Sequence, residues 1–324
     1  MSIKTTRFIL IGIVTGLLLI SALFAGCTGT SSQPPATPAQ PAAPVSTAAA
    51  AEPAAPAPAE ITAPAPAATT ATAPAAATTP RPEYQYSEGN VIAYTAASLK
   101  GASPALAAGY AKMYPGHSVV FNLDGTQALK TQVENGAYSD VFISASNTYT
   151  NDLKKGGYFV DGTVKTLATN YVIVILPASN PAKITDLSDL AKPGVKIARA
   201  AKTVPVGTAT NSAIANLAKS TYGNDWSTGV DTNTVTYETS EPGVATKVAL
   251  GEVDAGFVYE STSTAAKPGT YTSISIPKKD NYLQTYTIGV LKGSQSKGAA
   301  ADFETFMLSS AGQEILREYG FRAA

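Results

Sequence analysis

Between Val91 and Ser240 one local pattern recurs. A short apolar run ends in small or hydroxyl residues, and a stretch of helical period begins at once. The junctions fall at Ser98, Gly125-Thr126, Ser144-Ala145, Val206-Gly207 and Ser240. Strand and helix signals alternating in this way predict an α/β fold with mostly parallel sheets. In open α/β sheets, ligands bind beyond the carboxyl ends of the strands. Helix N-termini that converge there offer unpaired N–H groups and the positive end of the helix dipole. Together they hold an anion without lysine or arginine.

The first junction is Val91-Ile92-Ala93-Tyr94-Thr95-Ala96-Ala97-Ser98-Leu99. Val91 to Thr95 read as a short buried strand, and Leu99, Leu106, Tyr110 and Met113 are spaced for one face of a following helix. Pro104 removes a hydrogen bond inside that pattern, which moves the helix start to Ser103. Ser98 stands at the junction, where its hydroxyl serves as cap and donor. Further strands are predicted over 118–122, 140–144, 170–176, 195–200, 235–237, 254–259, 272–276 and 285–291. Helices are predicted over 127–134, up to Gly156-Gly157, as a turn at 186–191, up to about Lys219, and over 241–250, 297–308 and 311–319.

The pattern begins late in the chain. Lys4 and Arg7 precede an apolar run from Phe8 to Ala25, and Ala25-Gly26-Cys27 follows. This is the layout of a secretory signal segment, 1–27. Cys27 is the only cysteine, so no intramolecular disulfide forms. Its position resembles the lipobox of lipoproteins, with Phe24 where leucine is usual, which implies lipidation at Cys27. The alternative is an uncleaved membrane anchor. Residues 28–87 are almost entirely Ala, Pro, Thr and Ser, with no hydrophobic period. Such a tract buries too little apolar surface to fold and reads as an extended tether. The folding part is therefore 88–324. Lys and Arg together number 23, as do Asp and Glu, and no basic cluster appears. Nucleic-acid binding has no electrostatic footprint here.

Within the folding part a set of short motifs appears in order. They are Ala96-Ala97-Ser98-Leu99, Tyr114-Pro115-Gly116, Gly125-Thr126-Gln127-Ala128-Leu129, the run Ser139 to Ala145, Asn180-Pro181-Ala182-Lys183-Ile184, Lys192 to Ala198, Thr203-Val204-Pro205-Val206-Gly207, Leu250 to Tyr259, and Glu318-Tyr319-Gly320-Phe321. This set resembles the molybdate-binding proteins of molybdate ABC importers, over Val91 to Phe321. The resemblance implies a two-lobed periplasmic-binding-protein fold of class II. One lobe spans about 88–173 and 286–324, the other about 174–285, with an oxyanion held between them by hydroxyls and backbone N–H groups. It carries the ligand positions over to Ser98, Thr126, Ala145, Val206 and Tyr259. A further position falls on Glu241, where the family usually has valine and uses only the backbone N–H. Either the Glu241 side chain turns away from the anion, the favoured expectation because an unpaired buried charge is costly, or its carboxylate coordinates the metal of the anion directly.

The resemblance further implies a monomeric, non-enzymatic, extracytoplasmic lipoprotein without cofactor. It would bind molybdate or tungstate and pass it to the membrane subunits of an ABC importer. Phosphate or another tetrahedral oxyanion is the alternative ligand. Phosphate keeps a proton and needs an acceptor, which Asp124 or Glu241 could supply. An extracellular hydrolase with Ser98 as nucleophile lacks a base within reach. The sole histidine, His117, lies at the opposite end of the first strand–helix unit, and no Gly-x-Ser-x-Gly elbow occurs. An adhesive or sensory domain on a stalk is a third class. Its carbohydrate platform would need aromatic residues such as Trp226, which read instead as packing.

Overall fold

The computed structural model describes residues 89–323. The signal segment, Cys27 and the tether lie outside the described residues.

In chain order, β1 (Asn90–Ala96) leads through a short 3-10 turn, Ala97–Leu99, into α1 (Ser103–Met113). Then come β2 (Ser118–Asp124), α2 (Thr126–Glu134), β3 (Val141–Ser144) and α3 (Asn147–Lys155). The long β4 (Lys165–Pro177) is followed by a 3-10 turn, Leu187–Ala191, and β5 (Ile197–Ala200). Next are α4 (Pro205–Leu217), a π-helical turn, α5 (Gly223–Asn233) and β6 (Thr234–Glu238). α6 (Glu241–Ala249), β7 (Ala255–Tyr259), α7 (Glu260–Ala265), β8 (Tyr271–Ser275) and β9 (Leu283–Val290) follow. The last two helices are α8 (Lys297–Leu308) and α9 (Ser310–Glu318).

The strands form a continuous path, β2-β1-β3-β9-β4-β7-β5-β6, with β8 on β4. The strand β4 is shared along its length. Lys165 to Tyr171 pair with β9, whereas Val172 to Pro177 pair with β7 or β8. Parallel pairing joins β1 to β2 and β3, and β5 to β6 and β7. Every pair made by β4 or β9 is antiparallel. The sheets are thus mixed where mostly parallel ones are expected. The reason is that β4 and β9 carry the chain along the path between the two parallel groups instead of closing a strand–helix–strand unit.

Burial on both faces explains why β1 reads as an unbroken apolar run. Val91 and Ala93 belong to the large cluster that includes Leu106 and Tyr110 of α1 and Phe303 of α8. Ile92 and Tyr94 face the opposite way, among Leu129 and Val133 of α2 and Leu153 of α3. The helix start at Ser103 falls where Pro104 directs it, with the proline in the first turn. Leu99, Leu106 and Tyr110 are fully buried, but Met113, the last residue of α1, is 42% exposed and drops out of the predicted face. Trp226 packs rather than presenting a platform: its ring stacks on Tyr222 at 4.8 Å and its Nε1 donates to the Leu187 carbonyl. Among the described residues no helix is long and apolar enough to cross a membrane.

Candidate functional site

Ser98, Thr126, Ala145, Val206, Glu241 and Tyr259, far apart in sequence, all line one small cavity of about 20 Å³. Each stands where a strand has ended. Ser98 lies in the 3-10 turn after β1, and Thr126 is the first residue of α2 after β2. Ala145 follows β3, and Val206 is in the first turn of α4 after β5. Glu241 opens α6 after β6, and Tyr259 ends β7 and caps α7. The first N–H groups of a helix have no partner within it, so these ends bring donors to one point. The lining includes no lysine or arginine.

Local chemistry fixes each end. Gly207 allows α4 to sit tight on the end of β5. A Cβ there would lie 2.1 Å from the Ala201 carbonyl oxygen and 2.6 Å from that of Ala200. Pro205 supplies the first-turn φ of α4 without an N–H to satisfy. Thr126 Oγ1 accepts from the Ala145 N–H at 3.2 Å. The Ser98 hydroxyl meets the phenol of Tyr286 at 2.8 Å. Tyr286 is fully buried on β9, edge-on to Tyr259 with ring centroids 6.0 Å apart. The Tyr259 phenol donates to Gln284 Oε1. Burial pushes both phenols well above the usual tyrosine range, so they remain neutral donors.

Glu241 is buried rather than turned out to solvent. The residue is only 3% exposed and belongs to the cavity lining. Glu241 Oε1 accepts from the Tyr259 N–H and from the Thr262 hydroxyl, each at 2.7 Å. Glu241 Oε2 is buried and has no hydrogen-bond partner. The physical reason for its burial is a pair of donors, the Tyr259 N–H at the end of β7 and the Thr262 hydroxyl in α7, which a carboxyl oxygen satisfies and valine cannot. Burial pushes the carboxyl up to about 7, against the lowering effect of the two donors. An ionised carboxylate about 4 Å from an anion would cost roughly 4 kcal/mol per pair of unit charges at an effective dielectric near 20. No group of three or more His, Cys, Asp or Glu able to hold a metal ion gathers among the described residues.

Other residues singled out in the sequence lie elsewhere. Asp124 is outside the cavity lining, and its Oδ1 accepts from the Gly125 N–H of its own loop. His117 contacts the Tyr110 phenol at 3.1 Å and Asp302 at 3.8 Å, also outside that lining. Sequence reasoning missed Tyr286, Thr262 and Gln284, the groups that hold Ser98, Glu241 and Tyr259. Each sits in a run of hydroxyl and apolar residues where no spacing distinguishes it from its neighbours.

A fold of this kind, with a cavity ringed by helix N-termini, is that of a solute-binding protein. Residues 91–322 match the bacterial extracellular solute-binding protein family, and the chain belongs to it. It is 31% identical over 234 residues to the molybdate-binding protein ModA of Mycobacterium tuberculosis, with 72% of this chain and 84% of that one covered. Identity to the molybdate-binding protein ModA of Haemophilus influenzae is 28% over 238 residues, covering 72% and 90%. The periplasmic molybdate-binding protein of Azotobacter vinelandii superposes with a TM-score of 0.63 at 23% identity, over 72% of this chain and 99% of that one; this likeness bears on the fold alone.

Proposed function

We propose that the protein binds molybdate or tungstate outside the cell membrane and delivers it to the membrane subunits of an ABC importer. The observation that carries the reading is the meeting of Ser98, Thr126, Ala145, Val206 and Tyr259 in one cavity without a fixed cation. These anions are fully deprotonated at neutral pH, so a lining rich in donors suits them. The Ser98 and Thr126 hydroxyls and the Val206 N–H are the donors in this reading, with Ala145, whose N–H holds Thr126 Oγ1, and Tyr259 completing the cage. The likeness to the two molybdate-binding proteins described above supports it. The parts about 88–173 with 286–324 and about 174–285 act as two lobes that share β4 and enclose the anion. Cys27 carries a lipid anchor and 28–87 is the tether. The protein works as a monomer, without cofactor and without catalysis.

A second reading, a phosphate binder, is favoured by Glu241, because a buried acceptor without a partner on a lining residue suits an anion that keeps a proton. Calorimetric titration with molybdate, tungstate, sulfate and phosphate separates the two. Molybdate and tungstate are expected to bind far more tightly than the others. Tight phosphate binding with weak molybdate binding would overturn the first reading in favour of the second.

A further inference from the structure

Glu241 presents a problem that the donor cage does not solve. It places an acidic residue in the lining of a cavity read as a dianion's, and no lysine or arginine in that lining offsets it. One oxygen is fully engaged: Oε1 takes the Tyr259 N–H and the Thr262 hydroxyl. The other, Oε2, is buried and unpartnered, in a side chain 97% removed from solvent by its 3% exposure. A buried polar atom without a partner is costly and calls for an explanation. An ionised Oε2 would repel the ligand. A protonated Oε2 would instead offer it an O–H.

We infer that anion capture is coupled to a proton: Glu241 Oε2 takes up one H⁺ from solvent as the dianion enters, and the new O–H donates to an anion oxygen. This rests on the oxyanion reading of the same cavity. No covalent bond to the anion forms or breaks; a proton moves from the buffer to Oε2 on binding and returns on release. With Oε1 already accepting two hydrogen bonds, the proton resides on Oε2.

The surroundings leave Glu241 as the group that titrates. Against it stand the phenols of Tyr259 on β7 and Tyr286 on β9, both raised and neutral. From β6, Glu238 accepts from Thr236, and from β5, Arg199 is paired with Asp231 and Tyr237. Tyr271 on β8 donates to the Ala245 carbonyl. On β4, Tyr171 lies under the Arg322 guanidinium, which also pairs with Glu260 of α7. Lys100, beyond the 3-10 turn, is exposed and lines a neighbouring cavity. Burial already holds the Glu241 carboxyl up to about 7 before any charge is added beside it. A neighbouring negative charge raises an acid further. Below that pH the group is therefore protonated before the anion arrives. Above it, a proton must be taken up with the anion, and affinity falls as pH rises, by as much as tenfold per pH unit.

The test is calorimetry of the full-length protein with sodium molybdate and with sodium tungstate, in buffers of different ionisation heat, at about pH 6 and about pH 8. The expected result is uptake near zero at the lower pH and approaching one proton per anion at the higher. In Glu241→Gln, uptake is expected to vanish and the pH dependence of Kd to flatten. Binding at about pH 8 with no uptake in the unmodified protein would overturn the inference and leave the molybdate reading standing. Uptake that persists in Glu241→Gln would overturn it too, placing the proton elsewhere. Failure of both anions to bind at either pH overturns the reading and the inference together. The series on the unmodified protein decides even where the variant does not fold.

Discussion

Thr126 Oγ1 accepts a hydrogen bond from the Ala145 backbone N–H at 3.2 Å, which ties the first turn of α2 to the end of β3. A hydroxyl that accepts from the frame keeps its own proton to give. Thr126 is 1% exposed, and the open space beside it is the cavity it lines. Removing the hydroxyl therefore takes away a donor and leaves the Ala145 N–H without its acceptor. Hydrogen bonds to charged groups contribute about 1.5–3 kcal/mol. Thr126→Ala is expected to weaken molybdate binding by about 10- to 100-fold, and Ser98→Ala similarly, measured by calorimetry. Unchanged affinity in both variants would place the site elsewhere.

Tyr286 acts one step removed, through the 2.8 Å contact between its phenol and the Ser98 hydroxyl. Tyr286→Phe keeps the ring and its edge-on contacts to Tyr259 and Phe321. The phenol's neutral hydrogen bonds, to Ser98 and to Asn170, are lost, and the one through Ser98 is a matter of about 0.5–1.5 kcal/mol. The expected result is a loss of affinity of about 2- to 10-fold, smaller than for Ser98→Ala, with no further loss when Tyr286→Phe is combined with Ser98→Ala. Additive losses in the double variant would show that Tyr286 does not act through Ser98.

Gly207 is required by backbone atoms, not by a positive φ. A methyl group at this position would meet two carbonyl oxygens of the β5 exit, the nearer at 2.1 Å. Carbonyls in a packed turn yield little, so α4 would have to lift away, at a cost of about 1–3 kcal/mol or more. Gly207→Ala is expected to lower the melting temperature by about 3–10 °C, read by circular dichroism, and to weaken anion binding because Val206 moves with the helix. A variant with unaltered melting and binding would contradict this account of the junction.

The buried carboxyl of Glu241 makes stability depend on pH in a defined direction. Its folded value is raised to about 7 from an ordinary 4.5, so the folded chain binds the proton more tightly than the unfolded chain. That contribution is fully present below about pH 4.5 and is lost as pH rises through about 7. It amounts to about 3 kcal/mol at most. Glu304 is also raised to about 7 by burial and acts in the same window, so the comparison must be with a variant rather than with a flat baseline. In the empty protein, Glu241→Gln is expected to gain stability relative to the unmodified chain between about pH 5 and 8, by chemical denaturation. Parallel curves across that range would mean that Glu241 is not protonated in the folded protein.

The sequence made the junctions legible because each is a local event. Pro104 and Pro242 mark helix starts, small residues mark strand ends, and α8 spans Lys297–Leu308 as predicted. What stayed hidden depends on distant partners. The α5 stretch, Gly-Asn-Asp-Trp-Ser-Thr-Gly-Val-Asp-Thr-Asn, has poor helix formers and no apolar period. Its helical form is held by Trp226 bonded to Leu187 and by Asn233 bonded to Leu190 and Lys192. The first residues of β4, Lys165 to Thr169, show no β-branched run and become strand because β9 lies alongside. The burial of the Glu241 carboxyl is hidden for the same reason. The rule that unpaired buried charges are avoided holds, but the donors from Tyr259 and Thr262 lie 18 and 21 residues away, and burial favours a neutral acid over a charge.

The absence of lysine and arginine from the cavity lining changes what such a site can measure. A fixed cation attracts every dianion alike, so it weighs charge. Under the oxyanion reading, donors at Ser98 and at the starts of α2 and α4 have set positions, and each forms a good hydrogen bond only over a few tenths of an ångström. Sulfate and molybdate carry equal charge but differ in the length of their bonds to oxygen. A ring of immobile donors acts on them as a gauge acts on two spheres, passing judgement on diameter. Discrimination by such a gauge survives high salt, because ionic strength screens charges and leaves lengths unchanged.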